Sequence, residues 1–175
     1  MDNQQELAYL AGIIDGEGSI GLYSFKRSHG VTMHSRVSVV NTSQALIDYL
    51  ASLLAKYGVP FHMQWRAPRS NRHRPTAFIT VGRHSGVKKL LLLVRPFLVA
   101  KTKQADLLLE YVESRLYPDG TPKRNGKLHR YQPRDFEIER VLKALNGVSF
   151  LNDYTLDSVG EDIVCTAAKV AEITQ

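Results

Sequence analysis

A chain of 175 residues, 43% of them hydrophobic, is long enough to bury one substantial core, so disorder is excluded and a single domain over residues 1–175 is expected. Its longest uninterrupted apolar run, Leu90 to Val94, is too short to span a bilayer; no basic-then-apolar leader opens the chain, and Cys165 stands alone, so no intrachain disulfide or thiolate metal cage is expected and an intracellular location is. The net charge of +6 is unevenly spread: residues 1–22 hold four acids and no Lys or Arg, residues 23–103 hold fourteen basic residues against the one acid Asp48, and residues 104–175 are mildly acidic, which is the footprint of a polyanion binder.

The first predicted element is an amphipathic helix in which Leu7, Leu10 and Ile14 recur at helical spacing. A second stripe, Ala8, Gly12 and Gly16, carries almost no side chain and predicts close contact with another backbone. Glycine inside a helix costs about 1 kcal/mol against alanine, so Gly12 and Gly16 call for such a reason. The helix ends on Asp15 and Glu17, where the macrodipole is already negative; carboxylates gathered there point to a cation.

Alternation then predicts strands over Ser19–Arg27 and His34–Val40, joined through a Ser-His-Gly turn. Ile20 and Leu22 face the core and Tyr23, Phe25 and Arg27 the other side; Val37 and Val39 oppose His34, Arg36 and Ser38. A helix follows from about Ser43 to Gly58, with Leu46, Ile47, Leu50, Leu53 and Leu54 as its apolar face. A second pair of strands covers Phe61–Arg66 and Thr76–Arg83, separated by a basic loop carrying Arg69, Arg72 and Arg74. Helices are expected over Ser85–Val94, stopped by Pro96, and over Lys103–Leu116. The order helix, two strands, helix, two strands, helix, helix defines an α+β core over residues 1–116. Residues 117–134 form a basic loop rich in turn formers, with Lys123, Arg124 and Arg134; residues 135–175 form a C-terminal helical region, with a helix over 135–146 and a short one around Thr166–Ile173. No internal repeat occurs.

The nonapeptide Leu10-Ala11-Gly12-Ile13-Ile14-Asp15-Gly16-Glu17-Gly18 resembles the signature of the LAGLIDADG homing endonucleases of the single-motif class, with Ile13 and Ile14 in the variable apolar pair and Glu17 at the second acidic position. Pro96-Phe97-Leu98 followed by Lys101-Thr102-Lys103 resembles the segment that carries that family's active-site lysine. The resemblance implies a curved four-stranded antiparallel sheet that straddles DNA, with the helices on one face. It also implies a sequence-specific nuclease that makes a double-strand break in a long, near-palindromic site, in an intron-homing context. One motif per chain predicts a homodimer that meets along Ala8, Gly12, Asp15 and Gly16.

By the same resemblance Glu17, assisted by the Gly16 carbonyl, binds the metal, and Lys101 and Thr42 complete the catalytic set, Thr42 by holding water unless it or Ser43 caps the following helix. Asp15 serves the helix interface and capping instead. Mg²⁺ suits oxygen ligands of this kind, with Mn²⁺ or Ca²⁺ as substitutes for binding. The resemblance and the alternation together assign double-stranded DNA to Tyr23, Phe25, Arg27, His34, Arg36 and Ser38 on the first two strands. His62, Gln64 and Arg66, and Thr76, Phe78 and Thr80, do the same on the other pair, with Phe25 and Phe78 equally readable as packing residues. Arg36 and Arg66 are the best guanine readers because a guanidinium pairs bidentately with a guanine edge. Arg69, Arg72, Arg74, Lys103, Lys123 and Arg124 are assigned to phosphates. No membrane partner is expected, and the six histidines show no paired ligand spacing. Two other readings of the same scaffold stay open: an intron RNA-binding maturase, and a DNA-binding protein that does not cut.

Overall fold

The structure, a computed structural model, describes residues 2–28, 30–68, 75–123 and 131–147. Arg69, Arg72, Arg74 and Arg124, and the helix expected around Thr166–Ile173, lie outside the described residues.

Helix α1 spans Asn3–Glu17. It opens on a capping box: Asp2 Oδ1 accepts from the Gln5 amide at 2.8 Å, and Gln5 Oε1 accepts from the Asp2 amide at 3.1 Å. It closes without a loop, because strand β1 (Gly18–Arg27) starts at the next residue. Position 18 has room only for glycine: a Cβ there would lie 2.6 Å from the Ile14 carbonyl oxygen. That close approach fixes Glu17 at the seam where the helical layer meets the sheet.

Strand β2 (Gly30–Asn41) pairs antiparallel with β1 from Gly18↔Val39 to Arg27↔Gly30. It begins four residues before the predicted start at His34, since Met33 continues inward the phase of Ser35, Val37 and Val39, all four buried. Helix α2 (Gln44–Lys56) follows, then strands β3 (His62–Arg66) and β4 (Thr76–Val81), giving a four-stranded antiparallel sheet in the order β1-β2-β4-β3. β4 ends two residues short of the predicted Arg83, because Arg83 is instead the residue before helix α3 (His84–Val94). A 3-10 turn at Arg95–Phe97, with Pro96 inside it, leads to helix α4 (Thr102–Ser114).

Alternation along the strands sends Ile20, Leu22, Val37, Val39, Ala77, Ile79 and Val81 to one face. There they join Leu10 and Ile14 of α1, Ile47, Leu50 and Leu54 of α2, and Leu90, Leu91 and Leu108 of α3 and α4 in one hydrophobic cluster. Each such aliphatic side chain contributes roughly 1.5–3 kcal/mol when fully removed from water. The opposite face of the sheet carries the polar set.

Helix α5 (Pro133–Leu145) is more than an appendage to the 1–116 core. Ile138 and Leu142 are buried in the same cluster, and the helix closes the free edge of β1: Glu139 Oε1 accepts from the Ser24 amide at 2.7 Å, and Asn146 donates to the Ile20 carbonyl at 2.9 Å. An unpaired strand edge invites pairing with another chain, and covering it with a helix removes that hazard. β4 reaches along β2 only as far as Val37, so the earlier half of β2 needs other partners. Tyr131 Oη takes the Met33 amide at 2.8 Å, and Ser35 Oγ bonds His84 Nδ1 at 2.8 Å. Among the described residues no helix is long and apolar enough to cross a membrane.

Candidate metal and nucleic-acid site

Glu17 is the last helical residue of α1, is exposed, and makes no hydrogen bond or ion pair among the described residues. Gly16 contributes one of the carbonyls that end a helix without an intrahelical donor. Both are hard oxygen donors of the kind Mg²⁺ or Ca²⁺ takes, and the remaining coordination positions of such an ion suit water and phosphate. Among the described residues no three His, Cys, Asp or Glu side chains gather as a self-contained metal cage.

Asp15 has a different task. Its Oδ2 accepts from the Val99 and Ala100 amides at 2.7 and 3.2 Å, and its Oδ1 from the Lys101 amide at 2.9 Å. Both of its oxygens are engaged within its own chain, on the amides that lead into α4. In return, Lys101 Nζ donates to the Asp15 carbonyl. A cation at the C-terminal end of α1 complements the dipole there and offsets the charge of Glu17. Segments 84–86 residues apart are thus locked together, and the lysine ammonium is held two residues from the free carboxylate. Thr102 Oγ1 secures the same loop by donating to the Leu98 carbonyl at 2.9 Å.

Thr42 is exposed at the β2–α2 junction, and Ser43 is the helix cap, its Oγ accepting from the Leu46 amide at 3.4 Å. The α1 face expected to seek a partner is bare: Ala8, Gly12 and Gly16 are exposed, and a Cβ added at either glycine meets nothing within 4 Å.

The sheet face away from the helices assembles Tyr23, Phe25 and Arg27 of β1, His34, Arg36 and Ser38 of β2, Thr76, Phe78 and Thr80 of β4, and His62, Gln64 and Arg66 of β3. Ser38 lies opposite Thr80, which lies opposite His62, so the strands present their polar positions in aligned rows. Phe25 is 49% exposed and meets His34 edge-on at 5.3 Å, while Phe78 lies beneath the Arg66 guanidinium at 4.3 Å. Both aromatics are therefore on the polar surface, not in the core. Tyr23, Phe25, Arg27, His34, Arg36 and Thr80 line a cleft of about 330 Å³ on this face.

Lys103 and Lys123, both expected on phosphates, and the neighbouring Arg134 have these positions within the chain. Lys103 sits half-buried on the first turn of α4, within the helical layer and off the sheet face. Lys123 Nζ donates to the Ser114 carbonyl at 3.0 Å, so it serves the C-terminal end of α4. Arg134 pairs with Glu110 and Glu137 on the helical side, and these carboxylates hold its guanidinium even more firmly protonated than usual. Turn-rich composition cannot reveal that a cation in a connection will find a local carbonyl or carboxylate.

Residues 4–92 match the family model of the LAGLIDADG-like domain. No curated protein matches the chain. Among solved structures, the homing endonuclease I-CvuI, in complex with the I-CreI target in the presence of Mg with the DNA not cleaved, is 21% identical with a TM-score of 0.51, over 83% of this chain and 98% of that one. The same enzyme with its own target and Ca is 20% identical with a TM-score of 0.53, over the same shares. The archaeal intron-encoded homing endonuclease I-Vdi141I complexed with DNA is 14% identical with a TM-score of 0.54, over 83% of this chain and 99% of that one. At these identities the likeness establishes the fold, a four-stranded antiparallel sheet backed by helices. The motif at the tip of α1, and a family match that spans just over half of the 175 residues, establish more: the chain belongs to the LAGLIDADG-like domain family.

Proposed function

We infer that the protein is a divalent-metal-dependent, sequence-specific DNA endonuclease that works as a homodimer and breaks both strands of a long, near-palindromic site. The observation that carries this reading is the unpaired, exposed Glu17 carboxylate at the tip of α1, beside the open Ala8–Gly12–Gly16 face and the tethered Lys101. A carboxylate without a partner at a helix C-terminus is electrostatically unfavourable alone and becomes favourable with a cation. The complexes of I-CvuI and I-Vdi141I with DNA support the choice of polymer, and the Mg and Ca named with I-CvuI support the choice of ion.

When bound, a divalent cation supplies water activation and neutralisation of charge at the scissile phosphate. Glu17 and the Gly16 carbonyl hold that ion. Lys101, its ammonium fixed against the Asp15 carbonyl, stabilises negative charge developing on the phosphate. Thr42 offers an exposed hydroxyl to an ordered water. One carboxylate tip per chain serves one strand, and the second strand requires a second copy, which isologous contact of the α1 faces provides. The row of hydroxyl, amide, imidazole and guanidinium groups on the sheet reads base edges in the major groove, where the donor and acceptor pattern distinguishes all four base pairs.

The test is cleavage of a randomised site library with Mg²⁺, followed by recovery of the cut ends, with Glu17→Gln in parallel. The variant should bind selected sites as the parent does and lose cleavage by about a hundredfold or more. Cleavage by Glu17→Gln at the parental rate would falsify the assignment.

A further inference from the structure

Arg36 and Arg66, alone among the described arginines of the sheet face, each lie over an aromatic ring, and the two rings are held in different ways. The Tyr23 ring lies along its own strand across Gly21: a Cβ at position 21 would meet Tyr23 Oη at 2.7 Å, Cζ at 2.8 Å and Cε2 at 2.9 Å. The ring therefore occupies the space where a side chain at 21 would stand. Its hydroxyl reaches Ser19 Oγ at 3.4 Å, one further step along the same face. Gly21 is the cross-strand partner of Arg36, so laying the ring over Gly21 brings it directly under the Arg36 guanidinium, 4.4 Å from the ring centroid. On the other half of the sheet, Gln64 opposes Phe78 and Arg66 opposes Thr76, and the Arg66 guanidinium sits diagonally over Phe78 at 4.3 Å.

Both arginines are exposed and form no ion pair among the described residues, so the ring holds each guanidinium while its N–H groups remain available. A guanidinium held over a ring loses less rotamer freedom on binding than a free one, which favours the geometrically demanding bidentate contact to guanine O6 and N7 over a loose phosphate contact. We propose that Gly21, Tyr23 and Arg36 form one guanine-recognition subsite and that Phe78 and Arg66 form a second, with Gly21, Tyr23 and Phe78 acting as positioning residues that set sequence specificity. The inference rests on the proposed function, since it names where that DNA-binding face demands guanine. The two subsites are on different strand pairs, so they read two separate positions of each half-site, and two-fold symmetry repeats each of them on the opposite strand.

The experiment is selection of bound duplexes from a library randomised across the whole site, sequenced for the parent and for Gly21→Ala, Tyr23→Phe, Tyr23→Leu and Phe78→Leu. The parent should prefer guanine about five- to a hundredfold at two positions per half-site. Gly21→Ala and Tyr23→Leu should erase the same guanine column, Tyr23→Phe should keep it, and Phe78→Leu should erase the other, with the remaining columns retained. Gly21→Ala displaces only the far end of a side chain, and the neighbouring Tyr23→Leu reaches the same column by an independent route. Guanine columns that persist in both Gly21→Ala and Tyr23→Leu overturn the first subsite, and one that persists in Phe78→Leu overturns the second, while leaving the nuclease reading intact. A parent that selects no sequence at all overturns the proposed function and this inference together.

Discussion

Leucine at Gly12 separates folding of the chain from its self-association. Within one chain a Cβ at Gly12 meets nothing within 4 Å, and the position is exposed on a regular helix. Leucine is a better helix former than glycine by somewhat under about 1 kcal/mol, so α1 alone gains stability. Across an isologous contact the change appears twice, and each oversized side chain in a close-packed interface costs about 1–3 kcal/mol. The pair therefore loses about 2–6 kcal/mol, a weakening of association by roughly thirtyfold to twenty-thousandfold. Sedimentation equilibrium measures the association constant, and cooperative urea unfolding verifies the fold. Gly12→Leu protein that dimerises as tightly as the parent would refute the reasoning, because the stripe would then be idle.

Two further outcomes follow from the same contacts. Asp15→Asn replaces a charged acceptor of three backbone amides by a group with one oxygen, and charge-assisted hydrogen bonds contribute about 1.5–3 kcal/mol each when buried. With the partial exposure of this site a loss of roughly 2 kcal/mol is expected, seen as a melting temperature lower by about 4–8 °C, together with slower cleavage as Lys101 loses its anchor. An unchanged melting temperature would remove the anchoring role. His84 is held below the usual imidazole value of 6.5 by burial and by the charges of Arg115 and His34. Between that lowered value and 6.5 the unfolded chain binds the extra proton and the folded chain does not, so stability falls as pH drops through about 6.5 and levels off below the folded value. Urea midpoints at about pH 7.5 and 5.5 should differ less in His84→Gln than in the parent; an equal difference in both would exclude His84 as the titrating group.

Most of the fold is legible because strand and helix periods are strong in this chain. The inward phase of Ile20 and Leu22, and of Val37 and Val39, assigns the faces of β1 and β2 correctly, and the boundaries of α2 to α5 fall within about two residues of their predicted positions. The start of β2 is hidden because Ser28-His29-Gly30 reads as turn, although Met33 already keeps the buried phase. α5 was legible as a helix but not as the cover of the β1 edge, since the Glu139–Ser24 and Asn146–Ile20 contacts join residues 115 and 126 apart. The candidate site divides in the same way. Glu17 and the bare glycine stripe stand in one nonapeptide and can be read locally. The grip of Asp15 on the 99–101 loop depends on tertiary approach. Gly21 resembles an idle strand glycine until the Tyr23 ring is seen lying across it. The local partners of Lys123 and Arg134 are not legible, because charge at the sequence level does not tell whether a carbonyl or a carboxylate is within reach.

The account turns on two copies of the chain sharing one stretch of DNA. Chains carrying a long and a short tag, mixed, refolded together and run on a selected duplex in a native gel, count the subunits directly. Three shifted bands, the middle one holding both tags, are the predicted result. Two bands alone, each holding a single chain per duplex, would contradict it.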